Sequence, residues 1–202
     1  VDGGKGSDTV SYWGRDVSVN VTLKGSLSTN IKVDGVVEDS IRNVESVIGG
    51  SAGDILKGDK YANRLSGDGG TDVLKGDKGN DTLEGGLGAD SVQGGAGRDQ
   101  FRFVSPVDAA DHIKDFSHAD DTIALFDGVF AAFTKLGGIS SKAFRASADG
   151  HEAKTAKQKL IYDKSDGSLW YDADGKGAGA AVQIAVLDNK PQNLDFHDFL
   201  IV

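Results

Sequence analysis

Carboxylates at a fixed interval are the residues of this 202-residue chain best suited to chemistry. Asp54, Asp72, Asp81, Asp90 and Asp99 fall on a nine-residue register, with Asn63 in the place of a sixth. Asp8 holds the same place in an isolated copy upstream. Evenly spaced carboxylates are acceptors without donors, and when stacked they repel unless a cation sits among them. A hard cation such as calcium suits them, because it accepts roughly 6–8 oxygens in flexible geometry and glycine-rich turns offer many backbone carbonyls.

The elements that would position these carboxylates repeat without a gap. The units are GGSAGDILK (49–57), GDKYANRLS (58–66), GDGGTDVLK (67–75), GDKGNDTLE (76–84), GGLGADSVQ (85–93) and GGAGRDQFR (94–102). GGKGSDTVS (3–11) is the isolated copy. Position one is always glycine: Gly49, Gly58, Gly67, Gly76, Gly85 and Gly94. Position two is Gly50, Gly86 or Gly95, replaced by Asp59, Asp68 and Asp77 in the other three units. Position four is Gly70, Gly79, Gly88 or Gly97, replaced by Ala52 and Tyr61 in the first two. Glycines at one, two and four permit positive φ and close backbone approach, so six residues can turn tightly. The last three residues form a short strand whose middle side chain points inward. That side chain, at position eight, is Leu56, Leu65, Leu74, Leu83, Val92 or Phe101. One apolar residue in nine offsets too little of a backbone-ordering cost of roughly 1–2 kcal/mol per residue, so the coil needs another source of stability. A flexible Gly/Asp linker does not explain six in-phase apolar residues.

These units match the GGxGxDxUx nonapeptide, and the sequence resembles the RTX, or haemolysin-type calcium-binding, family of type I secreted proteins. The resemblance implies an all-β fold: a right-handed parallel β-roll, flanked by N-terminal strands and a mainly antiparallel C-terminal capping region. It implies two nonapeptides per turn, with calcium between successive turns along each edge, held by the position-six carboxylate and alternating loop carbonyls. Units 49–57, 67–75 and 85–93 then line one edge, and 58–66, 76–84 and 94–102 the other, for about four ions in all. With Tyr61 at position four and Asn63 at position six, the site between 58–66 and 76–84 is expected to be weaker or empty. Asp59, Asp68 and Asp77 either add charge around the sites or stand in solvent.

We therefore expect three parts: N-terminal strands with one isolated repeat over 1–48, the roll over 49–102, and a capping and secretion-signal region over 103–202. In the first part, Val17, Val19, Val21 and Leu23 alternate with polar residues, the period of a half-buried strand. A second strand is predicted at Val44–Ile48, with Gly25–Gly35 between them as loop and turn. All nine phenylalanines lie at or after Phe101, while 15 of the 29 glycines lie within 49–102. Only the last hundred residues can build an ordinary apolar core. There Lys159–Asp163 and Ser168–Asp172 read as a hairpin around Asp166-Gly167. Ala180–Leu187 reads as a third strand, and Val129–Phe133 and Leu194–Phe199 as short helical or turn segments. IKDFSHADDTIAL (113–125) resembles the segment that closes the roll in serralysin-type proteases, which makes Asp115 and Asp121 candidate ligands of a further calcium. Two acidic loop residues beside a strand at Thr122–Leu125 is the alternative. DADGKGAG (172–179) reads as turn chemistry rather than a calcium loop. The phrase LIYDKSDGSLWYDADGKGAGAAVQIAVL resembles the end domain of many RTX proteins, and DFLIV (198–202) the terminus of type I secretion substrates.

Other chemistry is thinner. GGSAG (49–53) fits the G-x-S-x-G pattern, but a nucleophile elbow needs a helix after it, and here the next repeat follows. His112, His118, His151 and His197 form no metal-binding spacing. No catalytic constellation is found, so the chain is expected not to be an enzyme. A net charge of −9, from 31 acidic and 22 basic residues, argues against nucleic acid. There is no run of about 18 apolar residues to cross a membrane and no cysteine for disulfides. The chain starts at Val1 and contains no methionine, so we expect the tail of a longer protein. A calcium-triggered folding and export module is the leading expectation, with the type I secretion machinery as partner and a secreted, extracellular or cell-surface bacterial location. The alternatives are an extracellular polysaccharide-binding or adhesin module, with Lys57, Lys75, Lys60 and Lys78 as contacts, and the tail of a secreted protease, lipase or epimerase.

Overall fold

The computed structural model describes residues 1–104 and 109–202. Its strands in the first half are β1 (Thr9–Ser11), β2 (Val19–Thr22), β3 (Thr29–Val33), β4 (Val36–Ile41), β5 (Ser46–Ile48), β6 (Ile55–Lys57), β7 (Arg64–Gly69), β8 (Val73–Lys78) and β9 (Thr82–Leu87). There follow β10 (Ser91–Ala96), β11 (Gln100–Phe103), β12 (Asp111–Ile113), β13 (Thr122–Leu125), β14 (Gly137–Gly138) and β15 (Phe144–Ser147). The last four are β16 (Leu160–Asp163), β17 (Ser168–Tyr171), β18 (Val182–Leu187) and β19 (Phe199–Ile201). A 3-10 turn at Phe196–Asp198 precedes β19.

Successive strands of the roll alternate between two sheets. One runs in the order β1-β5-β7-β9-β11-β13-β19-β14, the other β15-β16-β17-β18-β12-β10-β8-β6-β2-β3-β4. Within the roll every pairing is parallel and in register, so Leu56 lies beside Leu74 and Leu65 beside Leu83. Position eight points into the gap between the sheets, and all six of its residues are 0–3% exposed. Burying one such side chain contributes about 1.5–3 kcal/mol, against roughly 9–18 kcal/mol to order nine backbone residues at about 1–2 each.

The parallel winding runs on beyond the six repeats. The isolated copy supplies β1, which pairs with β5, and β2 pairs with β6. Downstream, β12 continues from β10 and β13 from β11 before β18 and β19 add further parallel strands. Antiparallel pairs then join β14 to β19 and link β16, β17 and β18. The strands expected at Val17–Leu23, Val44–Ile48 and Thr122–Leu125 form at their centres, as does the 159–172 hairpin. The stretch Gly25–Gly35, expected as loop, contains β3. Its alternation of buried Thr29, Ile31 and Val33 with exposed Asn30 and Lys32 is a strand pattern, and Asp34-Gly35 turns it back into β4 with both residues at positive φ, the conformation of a two-residue hairpin. Two apolar centres flank the thin middle. Upstream, Tyr12, Val19, Val21, Leu23, Ile31, Val33, Ile41 and Val47 are buried. Downstream, rings pack in pairs: Phe101 with Phe116 at 6.0 Å, Phe130 with Tyr171 at 5.0 Å and Phe144 with Phe199 at 5.2 Å.

Candidate metal centre

Parallel stacking puts the position-six side chains of each edge in a column. The backbone N–H of one residue donates to the carboxylate of the next coil. On one edge, Val19 N donates to Asp54 Oδ1, Asp54 N to Asp72 Oδ1 and Asp72 N to Asp90 Oδ1, at 2.7–2.8 Å. Asp90 N then reaches Asp111 Oδ1 at 3.1 Å. On the other edge, Asn63 N donates to Asp81 Oδ1, Asp81 N to Asp99 Oδ1 and Asp99 N to Asp121 Oδ1, at 2.8–3.0 Å. At the start of that edge Asp8 N donates to Glu45 Oε2 at 3.0 Å. Asp111, Asp121 and Glu45 thus hold position-six places. Asp121 was expected as a ligand. Asp111 was missed because 21 residues, not the 18 of two nonapeptides, separate it from Asp90. Glu45 lies 18 residues before Asn63 and was missed because its stretch, 40–48, carries none of the repeat's glycines.

Each ladder bond uses one carboxylate oxygen. The second, Oδ2, is buried and accepts no hydrogen bond in Asp72, Asp81, Asp99 and Asp8. An unpaired buried carboxylate oxygen costs several kcal/mol, and the column compounds this with like charge. Burial pushes the Asp72 and Asp81 carboxyls up to about 7, with their column neighbours Asp90, Asp54 and Asp99 adding to the rise. Burial likewise raises Asp121 to about 6 and moves Asp54 and Asp99 upward.

The position-one glycines show where these oxygens point. A Cβ on Gly67 would fall on Asp72 Oδ2 and within 2.5 Å of the Gly85 carbonyl oxygen of the next coil. A Cβ on Gly76 would meet Asp81 Oδ2 and the Gly94 carbonyl in the same way. None of the position-one glycines adopts positive φ, so what requires glycine there is the approach of a carboxylate and a carbonyl. Positive φ belongs to positions two and four, in Asp68, Gly70, Asp77, Gly79, Gly86, Gly88, Gly95 and Gly97. The turn mouths at 67–72 and 76–81 therefore gather a negative oxygen and a carbonyl with no donor between them, the donor set a hard cation takes. Calcium fits these residues; bound there, it would supply the positive charge that Asp72, Asp81 and Asp99 lack.

The first two repeats differ. Gly50 N donates to Asp54 Oδ2 and Asp59 N to Asn63 Oδ1, both at 2.7 Å. In those units the residues at positions two and four (Gly50, Ala52, Asp59 and Tyr61) stay out of the positive-φ region. The other expected ligands cluster at the far end: Gly94 N and Gly95 N donate to Asp115 at 2.9 and 3.0 Å, and Asp121 Oδ2 accepts from Ser117 N at 2.8 Å. The segment 114–121 thus forms the loop that follows 94–99.

Ser51 is followed by β6 rather than a helix, and its hydroxyl donates to the Arg15 carbonyl at 3.2 Å, which disposes of the nucleophile pattern. His112 pairs with Asp188 at 2.7 Å and His151 stacks on Trp170. His118 approaches Asp195 and Asp198 within 4.8 Å, an arrangement accounted for by the His118–Asp198 ion pair and the reciprocal cap between Asp195 and Asp198.

Fold and site together define a parallel β-roll with carboxylate-lined, cation-binding turns. Residues 48–83 and 75–102 match the RTX calcium-binding nonapeptide repeat (4 copies). The fold is similar to the solution structure of the AlgE6R3 subunit from the Azotobacter vinelandii mannuronan C5-epimerase, with 25% identity and a TM-score of 0.50 over 75% of this chain and 80% of that one. None of the curated proteins matches the chain. The repeats are those of the RTX calcium-binding family, and the chain carries an RTX β-roll. Among the described residues no helix is long and apolar enough to cross a membrane.

Proposed function

We propose that this roll is a calcium-dependent folding module of a larger secreted bacterial protein, exported by a type I machinery and wound on reaching calcium outside the cell. One observation carries the proposal: Asp72, Asp81 and Asp99 each bury a carboxylate oxygen without a donor. Without a cation these charges oppose the coil, and its apolar column is too thin to overrule them. A glycine-rich, acidic chain left unwound suits passage through a channel from a low-calcium cytoplasm. With calcium, each filled site stabilises the fold by about 2.7 kcal/mol at a hundredfold excess over its dissociation constant. Pairing the loops of six repeats along two edges gives about four sites. The module acts by binding, and any catalysis belongs to another part of the parent protein. Circular dichroism during a calcium titration tests the proposal: strand signal should rise with calcium, and a signal already complete in excess chelator would overturn it.

A second reading has its own observation. Lys57 and Lys75 are register partners on the outer face of one sheet, and with Thr22 and Gln93 they border a cavity of about 310 Å³. Neither lysine has an ion-pair partner among the described residues. Cations one strand apart suit an anionic polysaccharide, and the similar solved structure comes from a mannuronan C5-epimerase. Affinity electrophoresis in calcium against alginate should show retardation that a Lys57→Glu, Lys75→Glu variant loses. Equal mobility with and without alginate would dismiss this reading.

A further inference from the structure

Calcium is not needed equally along the roll. We infer that the turns 49–54 and 58–63 use a backbone amide where later turns use the cation, so that the coils built from residues 12–66 fold without calcium and template the winding of 67–103. This rests on the calcium-dependent folding proposed above and concerns where that dependence begins.

Three observations carry it. First, the carboxylate oxygen of Asp54 that would share a mouth with the Gly67 carbonyl already accepts Gly50 N–H at 2.7 Å. In the neighbouring turn Asn63 Oδ1 lies beside the Gly76 carbonyl and accepts Asp59 N–H at 2.7 Å. At 67–72 and 76–81 positions two and four take positive φ, and Asp72 Oδ2 and Asp81 Oδ2 have no donor. The sequence explains the difference: Ala52 and Tyr61 replace glycine at position four, and side chains rarely adopt φ near the +110° and +114° seen at Gly70 and Gly79.

Second, both early turns are covered by other parts of the chain. A Cβ on Gly50 would fall on the Arg15 carbonyl, and Ser51 N donates to that same oxygen at 2.7 Å. A Cβ on Gly25, in the β2–β3 turn, would come within 3.1 Å of the Tyr61 ring and 3.4 Å of Asp59 Oδ2. Third, this stretch has its own apolar core, with Val19, Val21, Leu23, Ile31, Ile41 and Val47 at 0–3% exposure. Coils 67–102 contribute one buried apolar side chain per nine residues. The isolated copy at 3–11 belongs with the later turns: Gly4 and Gly6 take positive φ and Asp8 Oδ2 lacks a donor.

The inference removes two of the four sites that pairing gives among the six repeats. It leaves the pairs 67–72 with 85–90 and 76–81 with 94–99. Hydrogen exchange of the whole chain, in chelator and in calcium, tests it residue by residue. In chelator, amides of β2, β3, β5, β6 and the Arg64–Ser66 part of β7 should exchange slowly, while those of β8 to β11 and of β1 exchange as in an unfolded chain. Calcium should then protect the second group. Protection absent everywhere in chelator and complete in calcium would overturn this inference while leaving calcium-dependent folding intact. Protection complete everywhere in chelator would overturn both.

Discussion

Replacing Asp72 with asparagine should move stability in opposite directions with and without calcium. The side chain is fully buried, its Oδ1 accepts from Asp54 N at 2.7 Å and its Oδ2 faces the Gly85 carbonyl without a donor. A carboxyl raised from 3.8 to about 7 carries about 4 kcal/mol against its charged form, at about 1.36 kcal/mol per pH unit. An effective dielectric nearer about 20 than 4 inside a protein reduces that to about 2 kcal/mol. Asparagine keeps the ladder acceptor, removes the charge and places an N–H₂ beside the Gly85 carbonyl; Asn63 shows that the column accommodates the amide, donating Nδ2 to the Glu45 carbonyl at 3.3 Å. In chelator at pH 7 the variant should therefore gain about 2 kcal/mol. In calcium at a hundredfold excess the parent gains about 2.7 kcal/mol from the site and the variant does not, so the variant should end about 0.7 kcal/mol less stable than the parent. At roughly 2–4 °C per kcal/mol for a chain of this size, melting followed by circular dichroism should rise by roughly 4–8 °C in chelator and fall by roughly 1–3 °C in calcium. Where the chelated roll shows no transition, the gain appears as recovered strand signal. Shifts of the same sign in both conditions would refute an electrostatic role for Asp72.

Protons should stand in for the missing cation. Asp72 and Asp81 at about 7 and Asp121 at about 6 lie above the unfolded value near 4. The calcium-free roll then has no ionisation penalty below about pH 4 and its full penalty above about pH 7, so strand signal in metal-free buffer should grow as pH falls from 7 to 5. The same protons compete with calcium, so calcium affinity measured by calorimetry should weaken over that window. Gly67→Ala sets a Cβ against Asp72 Oδ2 and the Gly85 carbonyl and should cost about 1–3 kcal/mol in calcium. Gly138→Ala, whose Cβ would meet nothing within 4 Å, should stay within about 0.5 kcal/mol, and equal thermal melts for the two would contradict the geometry. Leu74→Ala, at 0% exposure, should cost about 2–5 kcal/mol and raise the calcium concentration at the folding midpoint.

The inward column and the carboxylate columns could be read from spacing alone, because both follow from period nine and a strand's period of two. Sequence reasoning gave positive φ and close approach as joint reasons for the glycines at one, two and four, whereas the structure divides them. Position one needs glycine to let a carboxylate and a carbonyl meet, and positions two and four take the positive φ. That distinction appears only when two coils are stacked. Asp111 escaped because the longer connection before it breaks the period without breaking the column, and Glu45 because its in-phase stretch 40–48 has no glycine to mark it as a repeat. The β3–β4 hairpin was hidden by reading Gly25 and Gly35 as bounds of one loop, though Asp34-Gly35 is itself a turn signal.

The persistence of the columns across broken spacing says what the eighteen-residue period is for. A ladder bond needs only a position-six N–H on one strand and a carboxylate on the strand beside it, and parallel pairing provides both at Asp90–Asp111 and Asp99–Asp121 as well as between repeats. Glycine spacing adds something else, the approach of coils close enough for a carbonyl to face Oδ2. It is most regular between Gly67 and Gly97, where apolar burial falls to one residue in nine and large side chains would have no room. On either side, where Val, Ile and Phe side chains fill the space between the sheets, the chain keeps the ladder and relaxes the glycines. Cation binding and apolar packing thus act as alternatives along one continuous coil, and the carboxylates most dependent on calcium lie where the hydrophobic core is thinnest.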